Sequence, residues 1–459
     1  MEHDLVVFVP GFLGTRLHRD GLDVWARCSE RLIDSTASAL TEVTLPPGLG
    51  DAPPDGPFQL DADGLLQVPD SVPGLLSCMG YPSIRAALGD PPDAQFVPFG
   101  YDWRLSHRLV ARQLKARVAR ELERWHAEVD AYYPDRPDDP RVILVCHATG
   151  GLIGRHYLEC ENGRETARTL VTLGTPQQGL VQAARVLAGE AVPGDAGPGA
   201  DVAARMNEAL RDWAITLPSV AEMLPVYRAV RVGGKSRERQ ITDSRSRVPG
   251  LPVDAIRAAG DFQEEFHTAC DEHRGAGPLP YTVHCLGSVD FPTPQALVLS
   301  SDRSRIVDSL LGTGDGTVPH ESAVADWTGT DPMMWTGFRN ADLASGSALR
   351  DTMLAIRAGR SPGGTLAGGE GIVLRFPRNP VAAGQPFVIE LLGQDLLRRN
   401  LRSYVWRSGR PDKRPVVFRQ YEPDRYRAEL EVATGRWVVE ASVDRPKSRD
   451  RRDVTVVTV

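Results

Sequence analysis

Over the first three quarters of the chain, hydrophobic residues fall into short unbroken runs separated by longer amphipathic stretches. Residues 5–9, 95–99 and 142–146 are largely apolar, the pattern of strands buried on both faces, and 169–173 and 281–286 read as further strands. Between them, residues 109–129 place Leu114, Val118, Leu122 and Trp125 at helical spacing, with charge on the opposite face. Shorter helices are predicted at 84–88 and 349–356. Strands alternating with helices in chain order predict an α/β fold with a doubly wound, mostly parallel sheet. Residues 18–75 are loop-rich, with Pro46-Pro47-Gly48 and Pro53-Pro54 as breakers. From about residue 180 to 277 the pattern loosens into helical pieces broken by Gly and Pro at 192–200 and 248–252, as expected of an insertion capping the sheet.

The period changes after residues 359–371, a Gly-rich linker by composition. Tyr426, Ala428, Leu430 and Val432 alternate with polar residues, and after the Thr434-Gly435 turn so do Trp437, Val439, Ala441 and Val443. A further strand is expected at 454–459. The pattern predicts a small antiparallel β-sandwich of immunoglobulin-like type over 372–459, following an α/β domain over 1–358.

The 459 residues are 41% hydrophobic and carry a formal net charge of −7, which excludes general attraction to nucleic acid or anionic lipid. Basic clusters at 231–247 and 447–452 read as solvated loop. No apolar run reaches the length of a membrane span. The N-terminus enters a strand at once, without a basic n-region, so the expectation is a cytoplasmic protein. The six cysteines are scattered without metal-ligand spacing and read as reduced thiols, with neither metal nor organic cofactor expected.

Candidate chemistry concentrates where the third buried run ends. Cys146-His147-Ala148-Thr149-Gly150-Gly151 joins a strand to a helix through a turn of small residues, the setting in which a nucleophilic serine is held above a sheet. The residue at the apex is Ala148, which has no atom able to attack a carbonyl. Pro10-Gly11-Phe12-Leu13-Gly14, after the first strand, is the kind of loop whose bare amides can stabilise an oxyanion.

The ordered set Val9-Pro-Gly-Phe-Leu-Gly14, Tyr101-Asp-Trp-Arg104, Cys146-His-Ala-Thr-Gly-Gly151, Gly174-Thr-Pro176 and Gly314-Asp-Gly-Thr-Val-Pro319 resembles the lecithin:cholesterol acyltransferase and lysosomal phospholipase A family of α/β-hydrolases. The resemblance spans roughly residues 5–357. It implies an α/β-hydrolase fold, acyl-ester chemistry on lipids without a cofactor, and a Ser, Asp, His triad in that order. Carried over, Asp315 matches the triad acid, and Phe12 and Thr149 the oxyanion donors. Ala148 falls on the nucleophile and Asn340 on the triad histidine. Leu13, Trp103, His147, Leu217, Met223 and His320 are expected around the pocket, although Leu217 and Met223 equally suit the core of the cap, and His320 a solvated loop.

Both departures remove covalent catalysis: serine attack needs an oxygen nucleophile and a base to take its proton, and asparagine cannot cycle a proton near neutral pH. Cys146 and Thr149 flank the apex and should not point where a nucleophile points. The expectation is therefore a lipase- or acyltransferase-like scaffold that is inactive in ester hydrolysis. Three accounts follow: a working lipid esterase, phospholipase or acyltransferase deliberately inactivated by substitution, a natural pseudoenzyme binding an acyl lipid, an apolar small molecule or a protein, or a scaffold running a non-covalent elimination or cyclisation. The β-sandwich, with no catalytic constellation, is expected to recruit or orient, by contacting a protein partner for example.

Overall fold

The computed structural model describes residues 3–25, 40–67, 70–72, 76–78, 80–135, 138–192, 200–233, 238–243, 247–328 and 332–359. Towards the C-terminus it describes 373–375, 381–382, 386–392, 396, 400–408, 410, 412–422, 425–444 and 447–457. Apart from Gly359, the expected linker lies outside these residues. The chain forms two compact units: Met1–Pro82, Pro91–Met333 and Arg339–Ala341 in the first, and Ser83–Asp90, Met334–Phe338 and Asp342–Val459 in the second.

The first unit is built on a mostly parallel central sheet. Within this unit the strand order is Thr282–Gly287, Ala167–Leu173, Val142–His147, Leu5–Val9, Phe96–Pro98. The pairings from Thr282–Gly287 through to Phe96–Pro98 are all parallel. Leu5–Val9 and Val142–His147 are buried at every position, because helices cover both faces and leave no polar side for the strand to alternate towards. The chain winds one way from Leu5–Val9 and the other way from Val142–His147, so the topological switch point lies at the carboxyl ends of these two strands. The loops that leave them are Pro10–Gly14 and Ala148–Thr149.

The amphipathic stretch at 109–129 forms a longer helix, His107–Tyr132, capped by the Ser106 hydroxyl accepting from Leu109 N–H at 3.1 Å. The region from 180 to 277 contains the helices Val181–Leu187, Ala200–Ala214, Pro218–Glu222 and Val253–Ala276. Among the described residues, no helix is long and apolar enough to cross a membrane.

One hairpin escaped the sequence pattern. Phe291–Leu299 pairs antiparallel with Ile306–Gly314, with Val230–Val232 beside it. Pro292 and Pro294 argue against a central strand, but Val230–Val232 pairs only with Leu297–Leu299. The prolines therefore sit where the strand has one partner, next to a register shift at Pro294/Ala296.

In the second unit, Leu374, Phe387, Ile389 and Leu391 on one sheet share a core with Val405, Val439, Ala441 and Val443 on the other, so the two sheets face each other as a sandwich. The expected antiparallel character needs one correction: Val381–Ala382 pairs parallel with Val456 and Val457. A second correction concerns residues 447–452, which are strand rather than solvated loop. Lys447–Val457 runs antiparallel to Gly435–Asp444, with Arg451 opposite Glu440 and Lys447 opposite Asp444. A continuous backbone ladder along Gly435–Asp444 holds this polar run extended where composition alone suggests coil. The final helix, Ser347–Arg357, also belongs to this unit.

Candidate functional site

The Val142–His147 strand ends in a sharp elbow at Ala148, whose φ of +47° is left-handed. For a residue with a Cβ this conformation costs roughly 1–2 kcal/mol. Ala148 N–H donates to Leu173 O at 2.8 Å, and the helix Gly150–Cys160 follows directly. Crowding explains the small residues. A Cβ on Gly150 would lie 2.5 Å from Pro10 O, and one on Gly151 would lie 2.0 Å from Thr175 Oγ1. Cys146 is tolerated where a smaller residue is expected because Gly154, in the helix that follows, makes room: a Cβ there would meet Cys146 Sγ at 2.6 Å.

The Pro10–Gly14 loop lies against this elbow. Leu13 is buried at a φ of +65°, and Phe12 N–H donates to Thr149 Oγ1 at 2.7 Å. The candidate oxyanion donor is therefore already satisfied by a threonine hydroxyl. Gly11 N–H donates to the Tyr81 hydroxyl at 2.9 Å.

His147 is held at both ring nitrogens. Nδ1 is 2.8 Å from the Tyr81 hydroxyl, and Nε2 is 2.8 Å from the carbonyl oxygen of Asn340. A carbonyl only accepts, so Nε2 carries the proton, and Nδ1 accepts from Tyr81. Burial pushes His147 down to about 4, against a weaker upward pull from the Asn340 carbonyl. It is a neutral structural link with no lone pair to spare for general base work.

Asp315 sits in the turn after the Ile306–Gly314 strand. Its Oδ1 accepts from Val318 N–H at 2.7 Å and Thr317 N–H at 3.0 Å, and its Oδ2 accepts from Asn340 Nδ2 at 2.8 Å. Burial raises its pKa to about 6, opposed by those three donors. Asn340 Nδ2 also donates to Gly174 O at 2.8 Å, and Asn340 N–H donates to Asp315 O at 3.0 Å. Both amide hydrogens of Asn340 are thus used. The side chain reproduces the donor that an imidazole N–H would present to Asp315, without a proton acceptor beyond it.

The Tyr101–Arg104 motif supports the loop. Tyr101 hydroxyl donates to Pro10 O at 2.9 Å, and Thr15 Oγ1 accepts from Tyr101 N–H at 3.2 Å. Arg104 forks onto buried Asp102 at 2.6 and 2.9 Å and donates to Phe58 O at 2.8 Å. Trp103 meets Phe12 edge-on at 5.0 Å, and Trp213, from the Ala200–Ala214 helix, lies 6.3 Å from the Phe12 ring. This part of the expected cap therefore stands beside the loop.

Phe12, Trp103, Tyr81, His147, Ala148, Thr149, Asp315 and Asn340 thus form one connected constellation. Leu217 and Met223 are buried at the two ends of the Pro218–Glu222 helix, where Met223 O accepts from Leu180 N–H. His320 opens the short helix His320–Ala323 after the Asp315 turn. Tyr81 is the participant that sequence reasoning missed. It lies in a loop-rich stretch with no periodicity, and its only local signal is Gly80-Tyr81-Pro82. Neither neighbour of the apex substitutes for a nucleophile: the Cys146 thiol is buried in the core and held protonated by that burial, and the Thr149 oxygen is committed to Phe12.

The strand order, the elbow and the acid-bearing turn define an α/β-hydrolase scaffold. No protein-family model matches the chain, and no curated protein matches its sequence. Among solved structures, the Tle4–Tli4 complex contains a chain similar at 15% identity and a TM-score of 0.46, covering 77% of this chain and 98% of that one. The Bacillus licheniformis lipase BlEst2 in its propeptide form is similar at 12% identity and a TM-score of 0.33, covering 99% of this chain and 74% of that one. At these scores neither likeness bears on function.

Proposed function

We propose that this chain is a lipid-esterase-like α/β-hydrolase, related to the lecithin:cholesterol acyltransferase and lysosomal phospholipase A family, that has lost ester hydrolysis. It acts by binding an acyl lipid or another apolar small molecule. Phe12 and Thr149 occupy the oxyanion positions, Ala148 the nucleophile position, and Asp315 with Asn340 the remains of the acid–base pair. Residues 180–277 form the cap, and the β-sandwich is the surface for a protein partner.

The observation that carries this reading is the Thr149 hydroxyl accepting from Phe12 N–H directly beside an apex without a nucleophile. A donor so engaged must break a hydrogen bond before it can meet a developing oxyanion, which removes the preorganisation on which such sites depend. The full use of Asn340's hydrogens supports an adapted position rather than a freshly damaged one. Elimination or cyclisation is disfavoured because both nitrogens of the nearest imidazole are engaged.

The purified chain is expected neither to hydrolyse p-nitrophenyl esters nor to release fatty acid from phospholipid, and to carry lipid visible by native mass spectrometry. Turnover that vanishes on changing Cys146 or Thr149 would overturn the proposal. The double variant Ala148→Ser with Asn340→His is expected to stay weak until Thr149 is also changed. Strong esterase activity in the double variant alone would instead identify a recently silenced enzyme. An empty pocket in every preparation would favour a protein-binding module.

A further inference from the structure

A second polar cluster lies away from the elbow, on the helix that follows it. His156 and Cys160 are four residues apart on Gly150–Cys160 and so share one face of that helix. Glu265, on Val253–Ala276, approaches the same face. One donor atom from each of the three lies within 4.8 Å of the others, and among the described residues no other histidine, cysteine or carboxylate cluster comes together in this way.

His156 is only 1% exposed, yet neither ring nitrogen forms a hydrogen bond. Nε2 stands 3.4 Å from Glu265 Oε1. A buried imidazole with no hydrogen bond at either nitrogen is costly in a folded protein, which ordinarily satisfies such groups with protein, water or an ion. The ring is also fixed in place: it stacks on Phe262 at 5.5 Å and 7°, and Phe262 lies one turn before Glu265 on the facing helix. Arg108 Nε holds the other oxygen of Glu265, Oε2, at 2.5 Å, which leaves Oε1 for a different partner. Beside the cluster opens a cavity of about 510 Å³ lined by Glu159, Cys160, Asp261, Glu264, Glu265 and Glu272 among others. Five carboxylates around one mouth favour cations there; the guanidinium groups of Arg108 and Arg155 act against them at His156, and Arg164 already pairs with Glu159.

We propose that His156 Nε2, Cys160 Sγ and Glu265 Oε1 form a divalent-cation site of zinc type. The nitrogen, thiolate and carboxylate set suits borderline-soft zinc rather than magnesium or calcium. Donors in a tetrahedral zinc site stand about 3.5 Å apart, and the half-exposed Glu265 side chain has the freedom to close the remaining distance. Cys160 gives up its thiol proton on binding, and the fourth position faces the cavity and takes water. The ion ties the elbow helix to Val253–Ala276, independently of whether the elbow itself catalyses anything.

The test uses the full chain stripped of metal with a chelator and then titrated with Zn²⁺ or Co²⁺. One equivalent is expected to bind, with a thiolate-to-cobalt charge-transfer band and a tetrahedral-type visible spectrum. Zn²⁺ is expected to slow the reaction of Cys160 with a thiol reagent. Cys160→Ser removes the band and weakens Zn²⁺ binding by about 100-fold or more, since even outer-shell losses cost about 10–100-fold. Should that variant fail to fold, Glu265→Gln, at a side chain in contact with solvent, provides the second measurement, with the same weakening expected. Binding that is absent, purely octahedral in its cobalt spectrum, or unchanged in both variants would overturn the site.

Discussion

Ala148 holds its strained backbone although an alanine side chain has no atom able to attack, because Leu173 O and the crowding around Gly150 and Gly151 dictate the turn. Glycine adopts a φ of +47° without the Cβ penalty, although it loses more chain entropy on folding. Ala148→Gly should therefore stabilise the fold by about 0.5–1 kcal/mol in urea denaturation. A loss of stability would mean that the Ala148 Cβ, which packs against Gly11, contributes more than the strain costs.

The titrations of Asp315 and His147 oppose each other. The folded Asp315 carboxyl keeps its proton up to about pH 6, whereas the unfolded chain releases it near 3.8. The native state binds more protons in that window, so this group's contribution to stability falls as pH rises from about 4 to about 6, by on the order of 3 kcal/mol. His147 is held at about 4 against 6.5 when unfolded, so its contribution falls as pH drops through the same region. The two partly cancel in the parent chain. Comparing the parent with Asp315→Asn by denaturation at about pH 4 and about pH 7 isolates the first: the parent should lose ground relative to the variant at the higher pH. A difference independent of pH would show that Asp315 ionises normally in the fold.

At the scale of elements, the elbow helix is fitted to the sheet with no clearance. Gly151→Ala would put a methyl group on Thr175 and should cost more than about 2 kcal/mol, read as a lower denaturation midpoint. The Tyr101–Arg104 motif behaves similarly. It is legible in the sequence as a signature, but its work is to tie the Pro10–Gly14 loop and the buried Asp102–Arg104 pair to distant carbonyls. Arg104→Met leaves Asp102 buried without its partner and should cost about 3–5 kcal/mol. An effect below about 1 kcal/mol would show that the pair is not structural.

At the scale of the whole molecule, the Gly-rich composition of residues 359–371 predicts where the chain is cut first. Brief trypsin treatment should nick after Arg360 before any arginine of the central sheet, with intact mass spectrometry identifying the two fragments. First cleavage inside residues 142–173 would contradict that organisation.

The parallel sheet was legible because strands buried on both faces must be apolar throughout, and the long helix because its charge lies on one side. The elbow was legible because only small residues survive such crowding; Ala148 stood out as an apex without a nucleophilic atom, and Asn340 only through the family resemblance. The sequence left the Phe291–Gly314 hairpin hidden, since its prolines forbid a strand unless one knows which edge is unpaired. It carried no sign that Tyr81 would reach His147, that Thr149 would satisfy Phe12, or that Gly154 would accommodate Cys146. Those are contacts between residues far apart in the chain or on opposite sides of a turn, and no local periodicity encodes them. Local sequence set which elements form and which chemical groups are present, while packing in three dimensions decided which groups meet, which donors are already spent, and which buried imidazole makes no hydrogen bond.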